Sequence, residues 1–579
     1  MTHIVTGDAV LKFDGLAVIP LGGQSELGQV MWALVHSGKI LLVDAGSAYP
    51  VEEMPGVDLL FPNTNFLKAN EEHIVGLVLT NAHAEHSGAV SFLLNNLAIP
   101  TIMGPRYVST FLAQCSIDAN KATGFPCPIV ETVEIGESYE LDPFEIEWVQ
   151  VNDAIADACA LKIGTPKGTV IYTSSFKVDQ TPVDNRLMDV RKLAEAGDNG
   201  VLLLIGDSSG VEIEGYTPSE KAVIPNLRKA IEKAPGRAIV VMPGTNTHRL
   251  QILFDIAQQT GKKVALLGET LTRTAVSAAI TGNLIYDRSI EASIEEIQKL
   301  PDSDILILAS GQDGDAMEAI LDLAYTSNKD LLLKDGDTVI YSAGVAAGRS
   351  RQMAMILDNL LALGVHAVYG ARTGVHVSKH ASREELKFML SIINPKYFVP
   401  ALGEGRHIMH HAQMAIEWGI PAESIYPLRN GDVLEIENGS ATIVGTVEAQ
   451  PVMFNREQSE SVSQFSVSER RSLSTEGVVS VGLVVDGDMR LVSGPTIEVG
   501  AAGFMQSSEW EMVRPEIEQA IIDAVARMQT PDQVGNEEPV RFEMTALRAA
   551  VREVTTKAFR SKLQSKPTVQ VMIHELLTK

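Results

Sequence analysis

The sequence predicts an α/β chain folded as several domains, and three observations carry that prediction. Up to about residue 205, short aliphatic strands alternate with turns and helical stretches. The rhythm then lengthens into regular strand–helix units, and a compact strand–helix–helix–strand pattern follows near the end. Such alternation buries a helix stripe against a sheet face, which is the α/β solution to covering both. At 579 residues the chain exceeds one compact core and fits roughly three to four domains.

Taken in order, LAVIP, KILLVD, IVGLVLT, TVIYTS and GVLLLIG are the strand candidates of the first region. From about 210 to 375, AIVVM, KVALLG, DILILAS and DTVIYSA are each followed by a helical period. That pattern predicts a doubly wound domain with helices on both sheet faces. KYFVPAL and SATIVGTV resume a strand-rich segment, and the polar FNREQSESVSQFSVSERR predicts a linker. Beyond it, GVVSVGLVVDG and MRLVSGPTIEV are expected to pair. Two amphipathic stretches, WEMVRPEIEQAIIDAVARM and MTALRAAVREVTTKAFRSKL, and a last strand, TVQVMI, complete a small α+β domain.

Apolar residues make up 45% of the chain, enough to exclude a disordered chain as its main state. No apolar run reaches about 18 residues and the first residues lack a signal pattern, so a soluble, cytoplasmic chain without membrane contact is expected. Cys115, Cys127 and Cys159 match neither a disulfide framework nor a thiolate zinc site. The formal net charge of −26 argues against nucleic acid, because phosphate affinity rests on Lys and Arg contacts. The stretch from Arg541 to Lys579 is locally basic, with Arg548, Arg552, Lys557, Arg560, Lys562 and Lys566 between.

Three stretches carry a family resemblance: LGGQSELGQ near the start, LLVDAGSAYPVEEMPGVDLLFPN at 41–63 and IYTSSFKVDQTPVDN at 171–185. IGDSSGVEIEGYTPSE, TNTHR, GVHVSKHASREELKFML and NPKYFVPALGEGRH extend it, as do SERRSLSTEG and LVSGPTIEVG. Together they resemble ribonuclease J, a bacterial 5′ exonuclease and endonuclease acting on RNA. The resemblance implies a metallo-β-lactamase αββα sandwich with an inserted β-CASP α/β domain and a small α+β C-terminal domain. The expected boundaries are 1–207 and 376–447 for the sandwich, 208–375 for β-CASP, 448–466 for a linker and 467–579 for the C-terminal domain.

Active members of this family hold two zinc ions on a His-x-His-x-Asp-His loop and further ligands, an arrangement that clamps attacking and leaving oxygens. Here the loop reads Thr80-Asn81-Ala82-His83-Ala84-Glu85-His86, so Asn81 replaces the first histidine and Glu85 the aspartate. By the same resemblance Asp153 stands for a histidine, Ser175 for the bridging aspartate and Leu402 for the last histidine. A hydroxyl cannot bridge two dications and an isobutyl group offers no lone pair. A dinuclear centre is therefore not expected, and no cofactor is. The alternative is one residual zinc held by His83, Glu85, His86 and Asp153. Asp44 is the residue that orients the metal loop from behind in relatives.

The family's phosphate-handling loop corresponds to His376-Val377-Ser378-Lys379-His380-Ala381, which makes His376, Ser378, Lys379 and His380 the RNA phosphate candidates, with Lys379 in place of glycine. The loops 311–316 and 345–350, which grip the RNA 5′ end in relatives, differ here. Asp207-Ser208 and Asn246-x-His248-Arg249 persist, with turn and cap chemistry as the competing account. His407, His410 and His411 are expected on a solvated helix face. The resulting reading is a ribonuclease J-like pseudo-nuclease, a scaffold or regulatory subunit in RNA processing or decay. It is expected as a homodimer, a homotetramer or a hetero-oligomer with an active paralogue, binding single-stranded RNA weakly. An active ribonuclease with a rearranged metal site and a protein-binding module without RNA contact are the alternatives.

Overall fold

The computed structural model describes residues 14–50, 54–114, 125–345, 348–487, 489–500, 507–528 and 544–576. The chain divides into two compact units, one of residues 1–49 with 59–459 and one of residues 50–58 with 460–579.

In the larger unit the strand Leu16–Gly22 shows how period-2 patterning builds layers. Leu16 and Val18 face one apolar cluster while Ala17, Ile19 and Leu21 face another, so both faces are buried. This strand sits inside an eight-stranded sheet ordered Ser440–Thr446, Asp432–Glu437, Leu16–Gly22, Met31–His36, Lys39–Val43, Ile74–Val78, Ile102–Pro105 and Glu131–Val133. A second sheet runs Tyr397–Ala401, Val201–Asp207, Gly168–Tyr172, Cys159–Thr165, Phe144–Gln150 and Ser138–Leu141. Trp32, Leu34, Leu41 and Val43 from the first sheet meet Ile146, Trp148, Leu161 and Val170 from the second in one buried cluster. Each such side chain contributes about 1.5–3 kcal/mol on leaving water. Helices cover the outer faces, giving the αββα sandwich.

The same unit contains a five-stranded, all-parallel sheet ordered Lys263–Leu267, Ile305–Ala309, Ala238–Val241, Thr338–Tyr341 and His366–Val368. Parallel strands need both faces covered. Thr247–Thr260 and Glu269–Thr281 line one face through Leu250, Leu253, Leu271 and Ala278. Ala316–Ala324 and Ser350–Ala362 line the other through Ile320, Leu323, Ile356 and Leu360. This is the inserted β-CASP domain.

In the smaller unit, Val478–Val485 lies between Leu491–Gly500, antiparallel, and Thr568–Glu575, parallel. Val479, Val481, Leu483 and Val485 pack against Ile517, Ile521, Val551 and Phe559 of the helices Ser507–Met528 and Met544–Leu563.

Two sequence expectations need correction. The segment 448–466, read as a linker, contains the strand Val452–Asn455, whose Phe454 ring lies 5.5 Å from Phe61, and the first residues of the helix Gln464–Glu476. The short apolar run Val452–Phe454 outweighs its polar neighbours because Leu59–Phe61 offers it a sheet partner. Among the cysteines, Cys159 is a free buried thiol and Cys127 is disulfide-bonded, against the expectation of no disulfide framework; Cys115 lies outside the described residues. Among the described residues no helix is long and apolar enough to cross a membrane.

Candidate functional site

The strand Ile74–Val78 delivers the loop Thr80–Gly88, and the indole N–H of the core residue Trp148 donates to Leu79 O at 2.9 Å just before it. Backbone pairing then docks the loop on the end of the strand Lys39–Val43. Ala45 N–H donates to His86 O at 2.7 Å, Ser47 N–H to Ala84 O at 2.8 Å and Val30 N–H to Glu85 O at 3.0 Å. Gly46 permits this approach, since a Cβ there would lie 1.7 Å from Glu85 O. The loop is therefore held by the main chain whatever its side chains bind.

Asp44, buried and at φ 57°, gathers that end of the site. Its carboxylate accepts from Thr80 N–H at 2.9 Å, from the Thr80 hydroxyl at 3.0 Å, from Tyr172 Oη at 2.9 Å and from His86 Nδ1 at 2.7 Å. Burial, and then the Asp44 charge, push the Tyr172 phenol well above its ordinary range. With Nδ1 donating to Asp44, His86 turns Nε2 inward. That atom is buried, has no hydrogen-bond partner among the described residues and lies 3.6 Å from Glu85 Oε1.

His83 is differently employed. Its Nε2 lies 2.8 Å from Asp153 Oδ1 and its Nδ1 lies 2.8 Å from Thr245 Oγ1. Ser175 Oγ donates to Asp153 Oδ2 at 2.7 Å, and Ala154 N–H donates to Oδ1. Although burial opposes its charge, His83, Lys379 and Ser175 hold the Asp153 carboxyl far below the usual carboxylate range. Burial and then the neighbouring Lys379 charge push His83 below its ordinary value, with Asp153 opposing them. Both ring nitrogens are thus engaged within the protein, Nε2 by the Asp153 carboxylate and Nδ1 by the Thr245 hydroxyl.

Asn81 serves as a turn residue. Its Oδ1 accepts His83 N–H at 2.9 Å and its Nδ2 donates to Ser174 Oγ at 3.1 Å. Leu402, at φ 55° and 6% exposed, packs into the inter-sheet core with Val399 and Ala401, while its carbonyl accepts the Ser209 hydroxyl at 2.6 Å. Glu85 pairs with the Lys379 ammonium. Burial works against the Glu85 charge, yet Lys379, His86 and His83 keep its carboxyl below the usual range. In turn Glu85 and Asp153 hold Lys379 above its ordinary value against burial.

The loop 376–381 is tied down throughout. His380 Nδ1 lies 2.7 Å from Asp207 Oδ2, and despite burial the aspartate raises the imidazole above its ordinary value. Ser378 Oγ accepts His380 N–H at 3.1 Å. His376 is pushed down to about 4 by burial and then by the Arg249 charge, and its Nδ1 has no hydrogen-bond partner. Of the four phosphate candidates, Lys379 and His380 are thus paired with carboxylates of the protein itself, Glu85 and Asp207. Asn246 caps its helix, accepting Arg249 N–H at 2.7 Å, as the cap account has it.

Several functional neighbours escaped sequence reasoning. Thr245 was visible only as part of TNTHR, with nothing to mark it as the partner of His83. Arg249 is fully buried on Glu220 at 2.8 Å, with Lys177 Nζ 3.9 Å from the same carboxylate group. The sequence marked it only within Asn246-x-His248-Arg249, with turn and cap chemistry as the competing account. The solvated face expected for His407, His410 and His411 is corrected: His410 is exposed, but His407 and His411 are buried, His411 standing 4.8 Å from the Phe398 ring.

A pair of zinc ions does not fit this donor set. His83 has no free nitrogen, Ser175 donates to Asp153, Leu402 belongs to the core and an ammonium sits on Glu85. Among the described residues, no group of three or more His, Cys, Asp or Glu side chains is arranged to hold a metal ion.

Comparison with known proteins places this geometry. Residues 235–360 match the family model "Ribonuclease J, beta-CASP domain", residues 368–424 the "Zn-dependent metallo-hydrolase RNA specificity domain" and residues 465–576 the "Ribonuclease J C-terminal domain". The chain is 31% identical to ribonuclease J of a Synechocystis strain over 97% of its own length and 87% of the relative's. It is 27% identical to ribonuclease J2 of Bacillus subtilis over 97% of this chain and 99% of that one. A crystal structure of a protein of unknown function from Enterococcus faecalis superposes with a TM-score of 0.51 at 16% identity, covering 73% of this chain and all of that one, and so shares the fold. An αββα sandwich carrying a β-CASP insertion and matched over nearly its whole length by ribonucleases J identifies the chain as a member of the ribonuclease J family.

Proposed function

We propose that this chain is a catalytically inactive ribonuclease J-family protein that serves RNA processing or decay as a scaffold or regulatory subunit. The observation that carries this reading is the state of His83, whose two nitrogens are both committed, to Asp153 and to Thr245. Hydrolysis by this fold depends on a metal to polarise phosphate and activate water, whereas His83 and Asp153 are bonded to each other and Glu85 holds the Lys379 ammonium. In this role the chain works as a homodimer or homotetramer, or beside an active paralogue, and touches single-stranded RNA weakly.

The second reading, an active nuclease with one metal, is favoured by one atom: His86 Nε2, buried and without a partner. The test that separates them is degradation of a 5′-monophosphorylated RNA by the purified full chain with added zinc or manganese, alongside its metal content. No product above the buffer control is expected. Turnover that follows the metal content would establish the second reading and remove the first.

A further inference from the structure

We propose that Lys379 supplies, from within the chain, the positive charge that a metal supplies in relatives: its ammonium on Glu85 closes the centre to divalent cations, and its removal opens a site for one cation between Glu85 and His86. This deepens the inactive reading and rests on it.

The geometry is specific. Lys379 and Glu85 come from loops 294 residues apart in sequence, and their ion pair joins the two loops across the centre. Glu85 Oε1, the atom that holds the ammonium, is also the atom 3.6 Å from His86 Nε2. That nitrogen belongs to a fully buried side chain and has no hydrogen-bond partner, while Asp44 fixes its ring through Nδ1 at 2.7 Å. A carboxylate oxygen and an imidazole lone pair therefore face one gap, and both are donors zinc accepts. Asp153 and Asp207 face the same ammonium, which makes the gap attractive to positive charge of any kind. A dication and the ammonium compete for one carboxylate and repel each other, so only one can be held there. His83 adds no donor, its nitrogens being committed, so an opened site has two protein ligands completed by water.

The experiment measures zinc bound to the full-length protein by equilibrium dialysis at low micromolar metal, with thermal unfolding in zinc and in chelator as a second readout. Wild type is expected to retain no zinc and to unfold at the same temperature in both. Lys379→Ala is expected to retain about one equivalent, with zinc raising its unfolding temperature, since a ligand held only by the folded state stabilises it. Lys379→Met, which fills the lysine's volume without its charge, serves as the second variant should alanine unfold the chain. Lys379→Arg keeps the charge and is expected to stay zinc-free. Lys379→Ala combined with His86→Ala is expected to lose the zinc gained.

Wild type holding one zinc that His86→Ala removes would overturn the proposal. So would folded Lys379→Ala and Lys379→Met chains that bind none, which would mean that Glu85 takes up a proton instead. Failure here leaves RNA degradation by wild type as the separate test of inactivity. A wild type that degrades no RNA while both variants stay metal-free sinks this inference alone.

Discussion

His411 and His376 are histidines that the fold keeps uncharged. Burial pushes His411 from 6.5 down to about 4, and burial with the Arg249 charge brings His376 to about 4. The unfolded chain takes up these protons near pH 6.5 and the folded chain only near 4, so their stabilisation is complete above about 6.5 and declines as pH falls towards 4. For His411 the loss is on the order of 3 kcal/mol. His380 works in the opposite sense: raised by Asp207 against burial, it stabilises below its unfolded value and loses that contribution as pH rises through its folded one. The unfolding temperature is therefore expected to fall between pH 6.5 and 4.5 less steeply in His411→Phe than in wild type; equal slopes in calorimetry would contradict a neutral buried His411. At this scale the sequence was legible for identities and silent on directions. Asn81, Ser175 and Leu402 could be seen to lack ligand chemistry, whereas Lys379 reads as a phosphate contact until the structure turns it onto Glu85. No local pattern records a partner 294 residues away.

The loop Thr80–Gly88 shows why a metal site can lose its ligands and keep its shape. Its carbonyls are bonded by Ala45, Ser47 and Val30, not by the side chains that a metal would engage. Gly46→Ala tests that claim. The added Cβ would meet Glu85 O at 1.7 Å, forcing the loop off its docking strand. Crowding of this kind costs about 1–3 kcal/mol. A lowered denaturant midpoint and faster hydrogen exchange across residues 84–88 are expected, and an unchanged midpoint would show that the loop is held some other way. Strands and helices were largely legible because apolar periodicity of two or 3.6 residues reports burial. Polar composition misled at 448–466, where three apolar residues find a sheet partner, and at His407 and His411, where polar side chains occupy the inner face of a helix.

Charge decides how the whole molecule meets RNA. The net charge is −26, and among the described residues three lysines near the proposed contacts already hold carboxylates: Lys379 pairs with Glu85, Lys557 with Glu553 and Lys562 with Glu516. The last two pairs are exposed and cost little to exchange for phosphate. Single-stranded RNA is accordingly expected to bind feebly and with little sequence preference, and to weaken steeply between about 50 and 200 mM salt as counterion release dictates. Changing Lys557, Arg560 and Lys562 to Glu should weaken it further. Fluorescence anisotropy across a salt series checks this; tight binding indifferent to salt and to those substitutions would place the contact elsewhere. At this scale the fold class was legible because the strand–helix rhythm changes along the chain. Arg541 and Lys579, part of the basic stretch read from sequence, lie outside the described residues.

The left-handed backbone at Leu402 has a consequence for how reversible this divergence is. A leucine at φ 55° costs about 1–2 kcal/mol relative to ordinary backbone, and the conformation is pinned by the Ser209 hydroxyl on its carbonyl. Asp44 and Ser174 are likewise left-handed, at φ 57° and 55°, and both bond the Thr80 hydroxyl. These left-handed turns are thus held by hydrogen bonds within the chain itself. A histidine placed at 402 would have to adopt the same left-handed backbone and keep the Ser209 bond, so refilling this position is a matter of side chain and of strain together.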